Sequence, residues 1–278
     1  MAKILVTGAS GFIGKHLVPQ LSDVGHEVIQ ATSRSGDVAE ATTWSDILPV
    51  EVVIHLAGKS FVPDSWVEPG AFVKTNLLGT VAALDYCKKH DSRLVFLSSY
   101  LYGNPQKLPI PETASLIANN PYSLSKILAE KACHFYSESF GINITILRPF
   151  NVYGPGQPEH FLIPSIIRQV NVGNVIKVKD SEPKRDYVYI NDLVEAIVKA
   201  IDLQSGISIF NIGTGKSYSV TEIIKIIQDI KGTRLSVKSS NETRNFEVVN
   251  TIADISHSKE ILGWQPKYSV EKGLQSFL

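Results

Sequence analysis

Ile4-Leu5-Val6-Thr7-Gly8-Ala9-Ser10-Gly11-Phe12-Ile13-Gly14 carries an apolar run of strand length straight into three glycines spaced three apart. From there to Val24 the apolar positions recur at three and four, which predicts an amphipathic helix. Glycine lacks a Cβ and adopts positive φ freely, so the backbone can turn tightly and approach a ligand closely. The helix start beyond it offers unpaired N–H groups and the positive end of a dipole. Together these predict a dinucleotide pyrophosphate over Gly11 to Ile13, cradled by Gly8, Gly11, Phe12, Ile13 and Gly14. A ligand-free strand-to-helix turn is the bland alternative, and the place of the loop, directly after the first strand, argues against it.

Working outward, further strand-length runs occupy Val28 to Thr32, Val52 to Ala57, Arg93 to Ser98 and Asn143 to Arg148, and helix-period stretches occupy Pro69 to His90 and Pro121 to Gly141. Strands buried on both faces and crossed by helices make an α/β, Rossmann-type doubly wound parallel sheet. The crossover from Ser35 to Glu51 is short, leaves little room for a full helix, and must hold a strand of its own if the usual strand order applies. From about Gly154 the pattern loosens into alternating short pieces, which predicts a smaller C-terminal α/β domain interwoven with the first.

The chain has 278 residues, 44% of them hydrophobic, and 27 basic residues balance 27 acidic ones. A neutral chain has no overall field for nucleic acid or an anionic membrane, so neither is expected as a partner and any anionic ligand must be held locally. Cys87 and Cys133 stand outside any metal or redox spacing and read as packing residues in a reducing cytosol. The apolar run at Ile4 is too short for a signal peptide or a membrane span, so a cytoplasmic location is expected. The histidines show no metal spacing; His55 reads as a packed strand end and no metal is expected.

Tyr122-Ser123-Leu124-Ser125-Lys126 has the form Y-x-x-x-K, which on a helix puts the phenol and the ammonium on one face. With ten tyrosines in the chain, such a pair arises readily by chance, so its context carries the weight. The run Leu94 to Leu97 ends in Ser98-Ser99-Tyr100, and a hydroxyl at the carboxyl end of a central parallel strand opens onto the ligand crevice. We therefore expect Ser98, Tyr122 and Lys126 to converge as a catalytic set. A free tyrosine has a pKa of about 10, so action near neutrality needs a shift of about 3 units, or about 4 kcal/mol. A positive charge about 4 Å away is worth that order at an effective dielectric of about 20, which is the task expected of Lys126, aided by an oxidised nicotinamide.

Further motifs follow in order: His55-Leu56-Ala57-Gly58, then Lys74-Thr75-Asn76 with Gly79-Thr80, then Leu147-Arg148-Pro149-Phe150-Asn151-Val152-Tyr153-Gly154. Arg185-Asp186-Tyr187-Val188-Tyr189, Asn211-Ile212-Gly213-Thr214-Gly215 and Leu262-Gly263-Trp264-Gln265-Pro266 complete the series. With the G-x-x-G-x-x-G spacing at Gly8, this series resembles the extended short-chain dehydrogenase/reductase family, also called the NAD-dependent epimerase/dehydratase family. The resemblance implies a nicotinamide cofactor against Leu56, Ala57, Gly58, Asn76, Tyr122, Lys126 and Pro149. It implies a nucleoside-diphosphate sugar as substrate, contacted by Ser98 and Ser99, with Asn151 and Arg185 at its diphosphate and His160 to Pro164 near its base. Arginine's paired donors suit phosphate; a salt bridge to a neighbouring acid is the other reading of Arg185. The domains implied are 1–152 with 187–212 for the dinucleotide and 153–186 with 213–278 for the sugar. A homodimer through helices around 76–90 and 123–140 is also implied, with Ile127, Leu128 and Phe135 as candidate contacts.

Two departures narrow the reaction. Dehydratases of the family carry Asp-Glu after the catalytic hydroxyl, where this chain has Ser99-Tyr100, and no cysteine/histidine pair for 3,5-epimerisation stands at the matching position. What remains is NADPH-dependent reduction of a nucleoside-diphosphate 4-keto-6-deoxyhexose, for surface-polysaccharide precursors, or NAD-dependent 4-epimerisation. A catalytically inactive NAD(P)-binding scaffold is the alternative of another class. Thr32, Ser33 and Arg34 end the second strand with donors and a positive charge where an acid would hold the ribose 2′-hydroxyl. They favour NADP(H), with NAD possible should Arg34 point into solvent.

Overall fold

The computed structural model describes residues 1–204, 206–240, 242 and 248–278. Strands β1 (Lys3–Thr7), β2 (Glu27–Ala31), β3 (Val52–His55), β4 (Arg93–Leu97) and β5 (Ile144–Pro149) form one sheet, which is completed by β9 (Ile207–Ile212). The order is β2-β1-β3-β4-β5-β9 and every pairing is parallel. Period-two alternation sends Ile4, Val6 and Ile54 to one core and Leu5, Val53 and Phe96 to the other, so the sheet is covered on both faces. The strand order reverses between β1 and β3, which opens a crevice at their carboxyl ends.

Helix α1 (Phe12–Asp23) follows the glycine loop. Residues 35–51 hold only α2 (Thr42–Ser45), so the extra strand expected there is absent and β2 is an edge of the sheet. Trp44 supplies the reason: it is buried, packs into the second core and donates from its indole to the Val38 carbonyl at 2.9 Å, filling the space with one side chain. The helix-period stretch from Pro69 divides. After α3 (Val62–Val67), α4 (Pro69–Phe72) passes through a π-helical turn, Val73–Leu78, into α5 (Gly79–His90). Helix α6 (Pro121–Phe140) opens with a reciprocal capping box between Asn120 and Ser123 and closes at Gly141 in the left-handed conformation. Cys87 and Cys133 are buried and free of disulfide.

The rest of the chain forms a three-stranded sheet, β10 (Ser217–Ser219), β8 (Lys184–Tyr189) and β6 (Asn151–Tyr153), and a parallel pair, β11 (Ser236–Ser239) with β7 (Val175–Val178). Around them lie α7 (Leu162–Val172), α8 (Ile190–Ala200), α9 (Val220–Lys231), α10 (Ser256–Glu260) and α11 (Val270–Gln275). Two of the sequence motifs meet at Asp186, whose carboxylate accepts from the Thr214, Gly215 and Ala253 backbones. The Leu262-to-Pro266 motif is anchored at Asp192, which accepts from the Lys267 and Tyr268 N–H groups while its carbonyl takes the buried Trp264 indole at 2.8 Å. We propose the two-domain division read from the sequence, with the boundaries at 152 and 187 falling inside β6 and β8.

Candidate active site

The loop after β1 is shaped for a close-lying ligand. Gly8 has φ +69°, and a Cβ on it would sit 2.8 Å from the Ala57 nitrogen at the end of β3; one on Gly14 would meet the Ala9 carbonyl oxygen at 2.5 Å. Gly11 is the N-cap of α1, no side chain caps it, and the first turn carries no acid. The Gly11 N–H donates to the Gly8 carbonyl at 2.9 Å, whereas the N–H groups of Phe12, Ile13 and Gly14 have no side-chain cap among the described residues at the switch point of the sheet, which fits the diphosphate of a dinucleotide. Leu56, Ala57 and Gly58 continue β3 along the same rim, and the Thr7 hydroxyl fixes the join by pairing with His55 Nδ1 at 2.8 Å and accepting from the Ala57 N–H. Burial, helped by the Lys126 charge, pushes His55 down to about 3, which keeps it a neutral packed residue.

Asn76 lies in the π-helical turn and is buried. Its amide accepts from the Lys59 N–H at 2.8 Å and donates to the Lys59 carbonyl and to Ser125 Oγ at 3.0 and 2.9 Å. It thus ties the loop after Gly58 to the helix that carries Tyr122 and Lys126. A Cβ on Gly58 would lie 3.7 Å from Lys126 Nζ, so the glycine leaves the ammonium next to the cofactor-side rim.

Tyr122 and Lys126 share a face of α6, as expected, but the ammonium does not rest on the phenol. It donates to the Leu97 carbonyl at 2.6 Å and stands 4.5 Å over the Phe96 ring. Burial lowers Lys126 to about 8, against a raising influence from Glu130. Tyr122 is pushed up to about 12, by burial first, and a hydrogen bond from Ser99 works the other way. Burial is the leading influence on Tyr122, and at neutral pH the phenol holds its proton.

The structure gives the two serines different partners. Ser98 is buried, and its hydroxyl donates to Glu130, whose carboxylate is ion-paired with Arg148 at 2.6 Å. Ser99, one residue on and facing the other way, is the hydroxyl that meets Tyr122. Strand alternation required one of the two to face inward, and the Glu130–Arg148 pair, which the sequence reading missed, takes Ser98. Arg148 further donates to the Tyr102 hydroxyl at 3.0 Å, and Tyr102 donates to Asn211 at 2.6 Å, which extends the buried network to β9. A glutamate eight residues after Tyr122 on one helix face was the available signal.

Pro149 ends β5 beside Ile212 and is buried. Beyond it, Asn151 accepts from the Tyr100 hydroxyl at 3.1 Å and donates to the Asp186 carbonyl at 3.3 Å. Arg185 donates to the carbonyls of Lys184 and Val248 at 2.9 and 2.6 Å. His160 packs against Phe61 at 4.3 Å and Phe161 at 4.7 Å, between the cofactor-side loop and the loop before α7. At the end of β2, half-buried Thr32 leads into exposed Ser33 and Arg34, and Thr32 Oγ1 accepts the Arg34 N–H at 3.3 Å. Arg34 makes no ion pair among the described residues, and the nearby acids Asp37 and Glu40 are held by Lys74 at 2.9 and 2.8 Å.

The chain matches the model of the NAD dependent epimerase/dehydratase family over residues 4–213. It is 29% identical to the GDP-6-deoxy-D-mannose reductase of Pseudomonas aeruginosa over 99% of its own length and 96% of that protein. The solved structure of RMD from Pseudomonas aeruginosa complexed with NADPH superposes with a TM-score of 0.90 at 28% identity, covering 99% of this chain and 97% of that one. The UDP-glucose 4-epimerase of Thermotoga maritima with UDP-glucose gives 0.91 at 30% identity, covering 98% and 96%. With a match that runs from the first strand to the far edge of the six-stranded sheet, and relatives that act on nucleotide sugars, the chain belongs to the NAD dependent epimerase/dehydratase family.

Proposed function

We propose that the protein is an NADPH-dependent reductase of a nucleoside-diphosphate 4-keto-6-deoxyhexose, acting at C4. The observation that carries the choice is the end of β2, where Arg34 is exposed, free of ion pairs among the described residues, and shielded by Lys74 from the acids at 37 and 40. A guanidinium there suits a 2′-phosphate, and no carboxylate stands at Thr32 or Ser33 to repel it.

A bound nicotinamide supplies the hydride. Tyr122, protonated at neutral pH, gives its proton to the C4 oxygen as that oxygen becomes an alkoxide, and Ser99 hydrogen-bonds the same oxygen. Lys126, fixed on Leu97, sets a positive charge at the rim where negative charge develops. Ser98 acts from behind the site, through Glu130. Asn151 and Arg185 hold the diphosphate.

NAD-dependent 4-epimerisation is the second reading, supported by the equally close superposition on the Thermotoga enzyme. NADPH oxidation with GDP- or dTDP-4-keto-6-deoxyhexose, followed at 340 nm, is the expected result; no oxidation, together with interconversion of UDP-glucose and UDP-galactose, overturns it. Tyr122→Phe separates an enzyme from a scaffold: unchanged biological function in that variant establishes a scaffold. We also propose a homodimer through α5 and α6, supported by the exposure of Leu124 and Phe135; Ile127, expected at that contact, is instead buried within the protomer.

A further inference from the structure

Glu130 stands one helical turn beyond Lys126 on α6, so the carboxylate and the ammonium share a face of that helix. Both are buried. The two side chains grip consecutive residues at the end of β4: Lys126 donates to the Leu97 carbonyl at 2.6 Å, and the Ser98 hydroxyl donates to Glu130. From the other side Arg148, on β5, meets the same carboxylate through Nε at 3.1 and 3.2 Å and through Nη2 at 2.6 Å. Two cations and one anion are therefore shut away from water together.

A buried ammonium needs a counter-charge to keep its proton, because the loss of water favours the neutral amine. The groups packed around Lys126 narrow the source of that charge. Tyr122, one turn back on α6, holds its proton at neutral pH, and so does the Cys133 thiol, both pushed up by burial first. His55, on β3, is neutral, and the Phe96 ring and Leu97 carbonyl bring no net charge. Arg148 carries the same sign as Lys126. Among the described residues this leaves Glu130 as the carboxylate that bears on the ammonium, working against the burial that brings Lys126 down to about 8. Arg148 serves the arrangement from behind, because a carboxylate so deep would otherwise take up a proton itself.

We propose that Glu130 is the positioning residue for the cation of the site: it keeps Lys126 protonated on the Leu97 carbonyl and holds Ser98 against α6, while Arg148 keeps Glu130 ionised. This inference rests on the reading of Lys126 as the positive charge of the site given above. Ser98 contributes its place and no charge, so removing its hydroxyl leaves the ammonium protonated. Removing the carboxylate does not.

The test follows the titration of Lys126 itself by NMR, in ligand-free protein isotope-labelled at the lysine ε-carbons, with the Lys126 resonance identified by its loss in Lys126→Met. The wild type is expected to titrate at about 8. Glu130→Gln is expected to titrate about 1 unit lower. Because that variant leaves Arg148 buried without its partner, the double variant Glu130→Gln/Arg148→Met is measured beside it. The double variant removes both members of the ion pair, which relieves the fold, and is still expected to titrate below the wild type. Ser98→Ala is expected to titrate with the wild type. With NADPH and a 4-keto nucleotide sugar, the alkaline limb of the kcat profile is expected to move down in step with the Lys126 midpoint. A midpoint unchanged in both Glu130 variants, or lowered equally by Ser98→Ala, overturns the inference. A wild type that turns over no nucleotide sugar with either cofactor overturns the proposed function, and the NMR midpoints then decide the inference by themselves.

Discussion

The ends of β1 and β4 lie on the same rim of the same sheet and are shaped by opposite means. After β1 the geometry follows from what is missing: Gly8 has positive φ and no room for a Cβ against Ala57, and the start of α1 is left uncapped. After β4 it follows from what a distant side chain takes up. Glu130, which is 32 positions from Ser98 and 18 from Arg148 along the chain, accepts the Ser98 hydroxyl and leaves Ser99 to face Tyr122. A site built from absent atoms is specified by its own few residues. One built from a buried pair is specified only after the chain has folded.

The largest test of this contrast is at the two serines. Ser99→Ala is expected to lower kcat by about 10²- to 10³-fold, the range for a lost donor to a developing oxyanion, whereas Ser98→Ala is expected mainly to cost about 1 kcal/mol of stability. Equal kinetic losses in steady-state assays would break the assignment. Next, Glu130→Gln leaves the Arg148 guanidinium buried without its counter-charge and is expected to destabilise by about 3 kcal/mol in urea unfolding. A loss under 1 kcal/mol would show that the pair does not govern the β4 end.

On the β1 side, His55 is held at about 3 in the folded state, by burial and then by Lys126, against about 6.5 when unfolded. Between those values the unfolded chain binds the extra proton. Stability present above about pH 6.5 is therefore lost as pH falls, by about 2 kcal/mol at pH 5. In His55→Asn that part of the acid limb is expected to flatten, and an unchanged slope in unfolding experiments from pH 7 to 4 would remove His55 as its cause. The smallest effect is at Arg34: Arg34→Ala is expected to weaken NADPH binding about tenfold relative to NADH, measured by fluorescence titration, because an exposed charge-assisted contact is worth about 1.5 kcal/mol. An unchanged ratio would leave the choice of cofactor elsewhere.

Much of the fold was legible because each central strand is hydrophobic on both faces and each long helix carries its own boundaries, such as the Asn120 box and Gly141 on α6. The glycine loop and the Tyr122/Lys126 face were legible for the same local reason. The missing strand between β2 and β3 was not, because a single tryptophan, Trp44, fills the space by packing across the core. The division of the helix at Val73–Leu78 escaped because a π-turn is one extra residue per turn and leaves no mark on an apolar pattern. Lys126 was placed on the correct face, but spacing along a helix does not say where a four-carbon side chain ends, and it ends on Leu97. Asn151, Arg185 and His160 came from motif resemblance, and their contacts depend on loops whose path only tertiary structure defines.

The sheet order has a consequence for synthesis on the ribosome. Strand β5 pairs with β9, Ile144 opposite Ile207 and Leu147 opposite Phe210, although the chain between them leaves to form β6, α7, β7, β8 and α8 before returning. While that excursion is being made, the outer edge of β5 displays an unpaired row of backbone donors and acceptors beside a finished hydrophobic face. Late-closing pairings of this kind are where a nascent chain is most open to strand exchange with a neighbour. Yield on expression should therefore respond most sharply to changes in β9.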